Sequence, residues 1–211
     1  MRYAFFIFLT YSFCQAQSLT LGVAGGGRTT GDVVYAAVPE SRRYVVGPAV
    51  ELDLRLGFAV EVDALYHRLG YKVSGGNFAG YLTESGRINS WEFPMLLKYK
   101  LHTPLIKPFI EAGVAPRSLS GTLSQTGATT NIQTGQQTPF SRKYSTSWDA
   151  SVGIVAGGGV QFGLGRLRLS PEVRYTHWRG TPIQGAFADG PSYGSSQDQV
   201  DVLVGIGWKI H

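Results

Sequence analysis

The sequence contains a single cysteine, Cys14, among 211 residues. One cysteine cannot close an internal disulfide, and no group of His, Asp and Glu residues has the spacing of a zinc or other transition-metal site. Charged residues are also sparse, at 16%, and the net charge of +5 is spread along the chain without a run of Lys or Arg. This pattern argues against a nucleic-acid partner. We expect neither a cofactor nor a bound metal.

Only one long apolar run is present, and it lies at the N-terminus. Met1-Arg2 is a short basic start, an apolar stretch covers Ala4 to Phe13, and Cys14-Gln15-Ala16 has the small-x-small pattern of a cleavage site. The run is about half of the ~20 residues that a membrane-spanning helix needs. A lipid anchor on Cys14 is disfavoured because Phe13 precedes it. We therefore interpret residues 1–16 as a cleaved signal peptide and residues 17–211 as one exported domain.

The rest of the sequence has the two-residue period of β-strands and lacks the period of helices. Its 28 glycines and its 12% of aromatic residues fit an all-β chain with many turns. From Val200 to Ile210, for example, every second residue is apolar. Eight such segments are found, at 18–26, 45–56, 58–68, 88–100, 108–118, 147–162, 166–178 and 199–210.

The two faces of these segments differ in charge. The apolar faces carry no Asp, Glu, Lys or Arg, whereas the opposite faces carry nearly all the charge within the segments. A soluble β-sandwich also alternates, but its strands usually have about five or six residues. Segments of about ten to thirteen residues have the length that a tilted strand needs to cross a bilayer. The sequence therefore predicts an all-β fold, an eight-stranded antiparallel up-and-down transmembrane β-barrel, in preference to a soluble sandwich or lipocalin-like barrel.

The connections between the segments alternate between short and long. Those near Gly57, across His102 to Lys107, and from Gly163 to Gly165 are short, whereas the others have about 20 to 30 residues. Outer-membrane barrels have tight periplasmic turns and long external loops, and the first strand pairs with the last to close the sheet. The third long connection, Ser120 to Ser145, is rich in Thr, Gln and Gly, and we interpret it as a mobile loop.

The charged faces are expected to fill the barrel interior, which is just wide enough for side chains in an eight-stranded barrel. A turn centred on Gly57 would place Asp53 opposite Glu61 and Glu51 opposite Asp63. Two lysines on the fourth segment, with arginines from the seventh, are the expected counter-charges. The predicted interior ionic network consists of Glu51, Asp53, Glu61, Asp63, Glu92, Lys98, Lys100, Glu111, Arg117, Arg166, Arg168, Glu172, Arg174 and Asp201.

Aromatic residues lie near the two ends of the apolar stripes. Rings that combine an apolar body with a polar edge anchor a barrel at the two membrane interfaces. The predicted girdle consists of Tyr99, Phe162 and Trp208 on the periplasmic side, and of Tyr66, Trp91, Trp148 and Tyr175 on the outer side.

Several stretches resemble a known family. Val46 to Tyr71 (VGPAVELDLRLGFAVEVDALYHRLGY), Trp91 to Tyr99 (WEFPMLLKY) and Pro108 to Gly113 (PFIEAG) are similar to the bacterial outer membrane protein β-barrel domain families. These families are relatives in architecture of the outer-membrane protein A barrel. The resemblance implies a location in the bacterial outer membrane, in contact with its lipid. Near the C-terminus, the residues that look like the signal read by the barrel-assembly machinery are Gly205, Trp208 and Ile210.

No catalytic set is visible in the sequence. Lipid-modifying barrels of the deacylase type carry His-x-Ser on one strand face, and no histidine here is followed by serine at that spacing. We therefore predict a protein without enzymatic activity and keep a lipid-modifying enzyme as the least favoured alternative. Two other classes remain open. One is a structural or surface-interaction protein with a plugged interior, a monomer whose external loops serve adhesion, ligand contact or envelope integrity. The other is a small channel for solutes.

Overall fold

The computed structural model describes residues 18–35, 37–77, 80–101, 103, 106–180, 184–186 and 192–210. The interpreted signal peptide, His102 and His211 lie outside these residues, as does the side chain of Trp148. One 3-10 turn is present, at Arg55–Gly57. The strands are β1 (Ser18–Arg28), β2 (Val33–Tyr35), β3 (Val38–Pro39), β4 (Arg42–Asp53), β5 (Phe58–Asp63), β6 (Leu65–Asn77), β7 (Gly80–Glu92), β8 (Met95–Lys100), β9 (Ile106–Thr130), β10 (Gln137–Leu164), β11 (Leu167–Trp178), β12 (Gln184–Ala186), β13 (Ser192–Ser195) and β14 (Asp198–Lys209).

The long strands form a closed antiparallel ring. β5 and β6 are one strand interrupted at Ala64, and β7 and β8 are one strand interrupted at Phe93 and Pro94. The pairing runs β1, β4, β5, β8, β9, β10, β11 and β14. The last strand then returns to the first, from Thr20 opposite Lys209 to Arg28 opposite Asp201. The predicted eight-stranded up-and-down barrel is confirmed. Within the described residues, no helix is long and apolar enough to cross a membrane.

The two faces of the ring are inverted relative to a soluble protein. Ile110 and Ile154, which point outward, are both 67% exposed, whereas Lys98 on the inner face is only 1% exposed. Water would penalise an apolar outer surface of this extent, but hydrocarbon solvates it. The alternation therefore places apolar side chains against lipid and charged side chains in the interior.

One end of the ring has tight turns among its described residues, at Arg55–Gly57 and at Gly165 and Arg166, and we call it the short-turn end. At Arg55–Gly57, Leu56 and Gly57 take left-handed backbone conformations, with φ of 61° and 83°. Leu56, rather than Gly57, is the centre of this hairpin. Glu51 therefore pairs with Glu61, and Asp53 with Ala59. The expected pairing of Asp53 with Glu61 and of Glu51 with Asp63 is wrong by one step of the register.

At the opposite end, which we call the hairpin end, two strand pairs extend far beyond the predicted segments. β9 and β10 stay paired up to Thr130 opposite Gln137. The interpretation of Ser120 to Ser145 as a mobile loop is therefore wrong, because most of it is a regular hairpin. Its many Thr residues favour strands, and its low apolar content reflects the many side chains that it exposes to water. The connecting turn is closed by the Asn131 side chain, whose Oδ1 accepts hydrogen bonds from the backbone of Gln133 at 2.9 Å and Thr134 at 3.3 Å.

The connection between β1 and β4 folds over the opening at the hairpin end. β2 joins β13 and β12 in a separate three-stranded sheet. Val33 and Ala37 are buried against Leu69, Tyr71, Ile88 and their neighbours on the inner faces of β6, β7 and β9. An apolar layer therefore lies between the interior charges and the outside at this end.

Candidate functional site

The interior near the short-turn end holds a set of charged side chains that we call the lower cluster. Its centre is Lys98, whose Nζ lies 2.7 Å from Glu61, 3.3 Å from Glu111, 3.3 Å from Glu172 and 3.8 Å from Glu51. Inward positions on five different strands supply these groups, so the ammonium joins the walls across the lumen. The lower cluster consists of Glu51, Asp53, Glu61, Asp63, Lys98, Lys100, Glu111, Glu172 and Arg174.

Arg174 is the second centre of the lower cluster. Its guanidinium contacts four carboxylates, those of Glu61, Asp63, Glu111 and Glu172, and its residue is only 2% exposed. The planar fork of five N–H donors suits this arrangement, because several carboxylates can be bonded in different directions at once. Arg174 therefore links β11 to β5 and β9 through the lumen.

Lys100 completes the lower cluster nearest the short turns. Its Nζ bonds Glu51 and, at 2.7 Å, Asp53. The uncharged side chain of Gln161 adds two hydrogen bonds, accepting from Lys100 at 3.2 Å and donating to Glu51 at 3.1 Å. The lower cluster contains six acids and three bases. The nearby mouth carries further cations, since Lys107, Arg168 and Lys209 line the cavity that opens beside Asp53.

A separate upper cluster lies closer to the hairpin end. Arg28 donates from Nε to Asp201 at 2.9 Å, from Nη2 to Glu92 at 3.0 Å and from Nη1 to Asp32 at 3.2 Å. Gln199 donates to Asp201 at 2.6 Å and to Glu92 at 3.2 Å. The upper cluster consists of Arg28, Asp32, His67, Glu92, Arg117, Gln199 and Asp201.

His67 connects the barrel wall to the β1–β4 connection, which contains Asp32. Its Nδ1 lies 2.9 Å from the Tyr44 carbonyl and its Nε2 lies 3.2 Å from Asp32. Each ring nitrogen therefore lies within hydrogen-bond distance of an oxygen acceptor. Burial alone would raise the pKa of Asp32, but the His67 hydrogen bond and the Arg28 charge hold that pKa below its usual range. The upper cluster contains three carboxylates and two arginines, and His67 contacts one of those carboxylates.

Arg117 is positioned in the upper cluster by stacking on the ring of Trp178. Its guanidinium lies 3.8 Å from the ring centroid of Trp178, and its Nε donates to Ser151 at 3.1 Å. Trp178 in turn donates from Nε1 to Gln199 at 2.8 Å. A cation over the face of a buried Trp is favourable even without a direct carboxylate contact.

One residue predicted for the interior lies outside it, and a second lies at the edge of the lumen. Arg166 is in the tight turn between β10 and β11 and is exposed. Arg168 is half-buried at the mouth and donates to the Gly165 carbonyl at 3.2 Å. The predicted strand began at residue 166, so the period was extended into the turn, where it no longer applies. The other twelve predicted residues line the interior and make the contacts described above.

The sequence pattern missed several interior residues. Arg28 is buried on β1 and is the centre of the upper cluster. The alternation of inward positions from Ser18 through Ala24 continues to residue 28 and could have identified it, but the first segment was ended at residue 26. Asp32 and His67 meet through a loop, which a strand period cannot predict. Gln161 and Gln199 are uncharged, so a pattern of charged residues on inward faces does not identify them.

Aromatic side chains lie on the outer surface at the positions predicted for the girdle. Tyr66 and Trp91 have ring centroids 5.2 Å apart, and Phe58 and Tyr99 pack at 5.1 Å. Tyr175 is 43% exposed, and Phe162 is half-buried. On β14, Trp208 at 53% and Ile210 at 46% exposure face outward beyond the half-buried Gly205.

Three carboxylates of the lower cluster lie close enough together to suggest a metal site. Ligand atoms of Glu61, Glu111 and Glu172 all lie within 4.8 Å of one another. The Lys98 ammonium is 3.3 Å or less from each of them. A lysine cation therefore already occupies the position at which a metal ion would bind.

The described cavities along the lumen are small. One, beside Thr20, Glu51 and Ser170, has a volume of about 30 Å³, and one near Asp32 and Gln199 has about 10 Å³. The cavity at the short-turn mouth has about 110 Å³. A single water needs roughly 10–15 Å³ measured this way, so the inner two hold one or two waters each.

The barrel, its apolar outer surface and its polar interior match a family of membrane proteins. A family model described as "Outer membrane protein beta-barrel domain" matches residues 15–177, which is more than half of the chain. The chain belongs to the outer membrane protein β-barrel domain family. This places it in the bacterial outer membrane, in contact with its lipid. The short-turn end of a family barrel is periplasmic and the hairpin end faces outward.

Solved structures of similar shape include outer-membrane proteins. Neisserial surface protein A is 11% identical with a TM-score of 0.53, covering 90% of this chain and 96% of its own. The outer membrane protein OprG from Pseudomonas aeruginosa is 14% identical with a TM-score of 0.53, covering 93% of this chain and 97% of its own. At such identities the likeness concerns the fold alone. Among curated protein sequences, none matches this chain.

The tip of the β9–β10 hairpin is the expected site of first cleavage by an external protease. Residues 131–136 are exposed and connect β9 to β10, which stay paired with each other up to Thr130 and Gln137. Exposed turns are preferred sites of proteolysis because their backbone can enter a protease cleft. Mass spectrometry of fragments from intact cells should map the first cut to 131–136. A first cut at Arg55–Gly57 would mean that the topology is inverted.

Proposed function

We propose that this outer-membrane barrel is a non-conducting, non-enzymatic protein with a structural or surface-interaction role. The observation that carries the proposal is the chain of ion pairs across the lumen. Lys98 and Arg174 are almost completely buried, and each contacts four carboxylates, which lie on four strands for Lys98 and on three for Arg174. Groups bonded in this way stay in place only while they remain paired, so the lumen is a structural core rather than a solute path.

A small channel is the alternative that this packing disfavours. A solute would have to pass the lower cluster, the upper cluster and the apolar layer around Val33 and Leu69. Each described cavity inside the barrel holds one or two waters at most. Passage would require several charged contacts to break together, which makes steady conduction unfavourable.

An enzymatic role is disfavoured by the surroundings of the exposed histidine. His177 lies 2.9 Å from Asp198, and Tyr175 donates to the same carboxylate. Among the described side chains, no hydroxyl of Ser or Thr forms a hydrogen bond with His177, so the nucleophile that such a pair would activate is not in position. The trio supports a rim contact between β11 and β14.

The outer surface supports an interaction role. The β6–β7 and β9–β10 hairpins extend beyond the aromatic girdle, and their outward faces expose mostly polar side chains. Because the first and last strands pair and the membrane-spanning ring closes on itself, we propose a monomer. Trp208 and Ile210 face outward on β14, where the barrel-assembly machinery could bind them.

The decisive experiment is electrical recording from the purified protein in planar lipid bilayers. We expect no steady conductance, because the lumen is blocked at two levels. Insertion should be verified in the same preparation by the compact form on detergent gels, which closed barrels keep until heated. A reproducible single-channel conductance from correctly inserted protein would refute the plugged interior and favour the channel.

A further inference from the structure

Four basic side chains lie together on the outward face of β4, β6 and β7, just beyond the outer aromatic row of Tyr44, Tyr66 and Trp91. Arg42 pairs directly with Arg68, and Arg87 is opposite Gly70, diagonal to its neighbours on β6. All four side chains are exposed. We call this group the basic patch; it consists of Arg42, Arg68, Lys72 and Arg87.

The basic patch is poorly neutralised by the protein itself. Among the described residues, no carboxylate lies within 4.0 Å of any of its four cations, although the exposed Glu40 is nearby through its backbone bond to Gly70. Like charges directly opposite each other on neighbouring strands are destabilising. Arg42 and Arg68 form such a pair, so an anion between them would relieve the repulsion.

The position of the patch identifies where that anion comes from. Tyr66 pairs with Trp91 at the upper edge of the lipid-facing surface, with ring centroids 5.2 Å apart, and the Tyr44 ring lies 6.5 Å from that of Tyr66. Aromatic residues at this level mark the boundary between hydrocarbon and headgroups. Arg68 is two residues beyond Tyr66 on the same face, about 7 Å further along the strand. The patch therefore lies at the depth of the lipid headgroups.

We propose that the basic patch binds the phosphate groups of anionic lipid in the outer leaflet around the barrel. Arginine suits this ligand because its fork of donors bonds phosphate oxygens in a bidentate way. Three arginines on adjacent strands present such forks side by side, while the aromatic row contacts the sugar and upper acyl region of the same lipid. The proposal does not depend on whether the lumen conducts.

Binding of diphosphorylated lipid A to the purified barrel in phosphatidylcholine bicelles tests the proposal. The double variant R68Q/R87Q should bind lipid A roughly tenfold more weakly or worse, since two sets of charge-assisted hydrogen bonds are lost. The matched control R142Q/K143Q removes the same charge from the β9–β10 hairpin, farther from the membrane, and should bind within about twofold of wild type. Dephosphorylated lipid A should bind the wild type as weakly as diphosphorylated lipid A binds R68Q/R87Q.

Three results would overturn the proposal. One is equal weakening in both double variants, which would indicate a general charge effect. Another is a wild type that binds the two forms of lipid A equally. In the third, R68Q/R87Q no longer binds soluble dextran sulfate but still binds lipid A as wild type does. That result would assign the patch to a soluble polyanion. The compact gel form verifies folding of each variant, and R68K/R87K, which keeps the charge but loses the forks, should show intermediate binding.

Discussion

Lys98→Ala should markedly lower the temperature at which the barrel loses its compact form on detergent gels. The substitution leaves Glu51, Glu61, Glu111 and Glu172 facing one another without the ammonium that now separates them. Breaking a buried ion pair by removing one partner costs on the order of 3–5 kcal/mol, because uncompensated charge remains in a poorly solvated place. Water entering the space left by the lysine would reduce this cost.

Lys143→Ala is the matched control for that experiment. Lys143 is exposed on the β9–β10 hairpin, and exposed charges contribute about 0–1 kcal/mol. Its compact form should therefore melt at the wild-type temperature. Adding Glu61→Gln to Lys98→Ala should restore part of the loss, since one of the repelling charges is removed. Equal melting of the Lys98→Ala and Lys143→Ala variants would refute the model of a plugged interior.

Arg174→Ala is expected to have an effect as large as that of Lys98→Ala, and Arg174→Lys should recover only part of it. The guanidinium contacts four carboxylates in different directions, and a lysine ammonium has three donors at a single point. In urea unfolding in detergent micelles, the urea concentration at the midpoint should decrease from wild type to Arg174→Lys to Arg174→Ala. The alanine variant should lose on the order of 3–5 kcal/mol of unfolding free energy.

Arg166→Ala provides the comparison for arginine. Arg166 lies in an exposed turn eight positions before Arg174, and its removal should leave the urea midpoint within about 0.5 kcal/mol of wild type. A lysine at position 174 that restores full stability would mean that net charge, rather than the geometry of the fork, holds the lower cluster together.

The strand period was sufficient to predict the barrel and most of its interior. Alternation places Lys98, Glu111 and Arg174 on inward faces whatever the register, so these residues could be predicted without the structure. The register itself depended on the turn. Because Leu56 takes a left-handed conformation that a bulky residue rarely adopts, the hairpin centre could not be deduced from Gly57 alone.

The contacts that the period could not predict involve loops and the outer hairpins. Asp32 reaches Arg28 and His67 because the β1–β4 connection folds back into the barrel opening, a tertiary arrangement with no local sequence signal. The prediction of a mobile loop at Ser120 to Ser145 is wrong because a low apolar content does not exclude regular strand pairing. Most side chains of this hairpin are polar because they are exposed to water, and backbone pairing of β9 with β7 on one side and with β10 on the other maintains the strand.

The length of the β9–β10 hairpin determines which part of the protein a soluble partner meets first. Ser118 lies opposite Trp91, at the membrane boundary, and β9 continues from there to Thr130. At about 3.3 Å per residue and a tilt near 40°, the tip stands roughly 30 Å above that boundary. A layer of surface sugars of that thickness would cover the barrel rim and the three-stranded sheet of β2, β12 and β13. Antibodies, phage or host molecules approaching an intact cell would then reach the turn at 131–136 before any other part of the described chain.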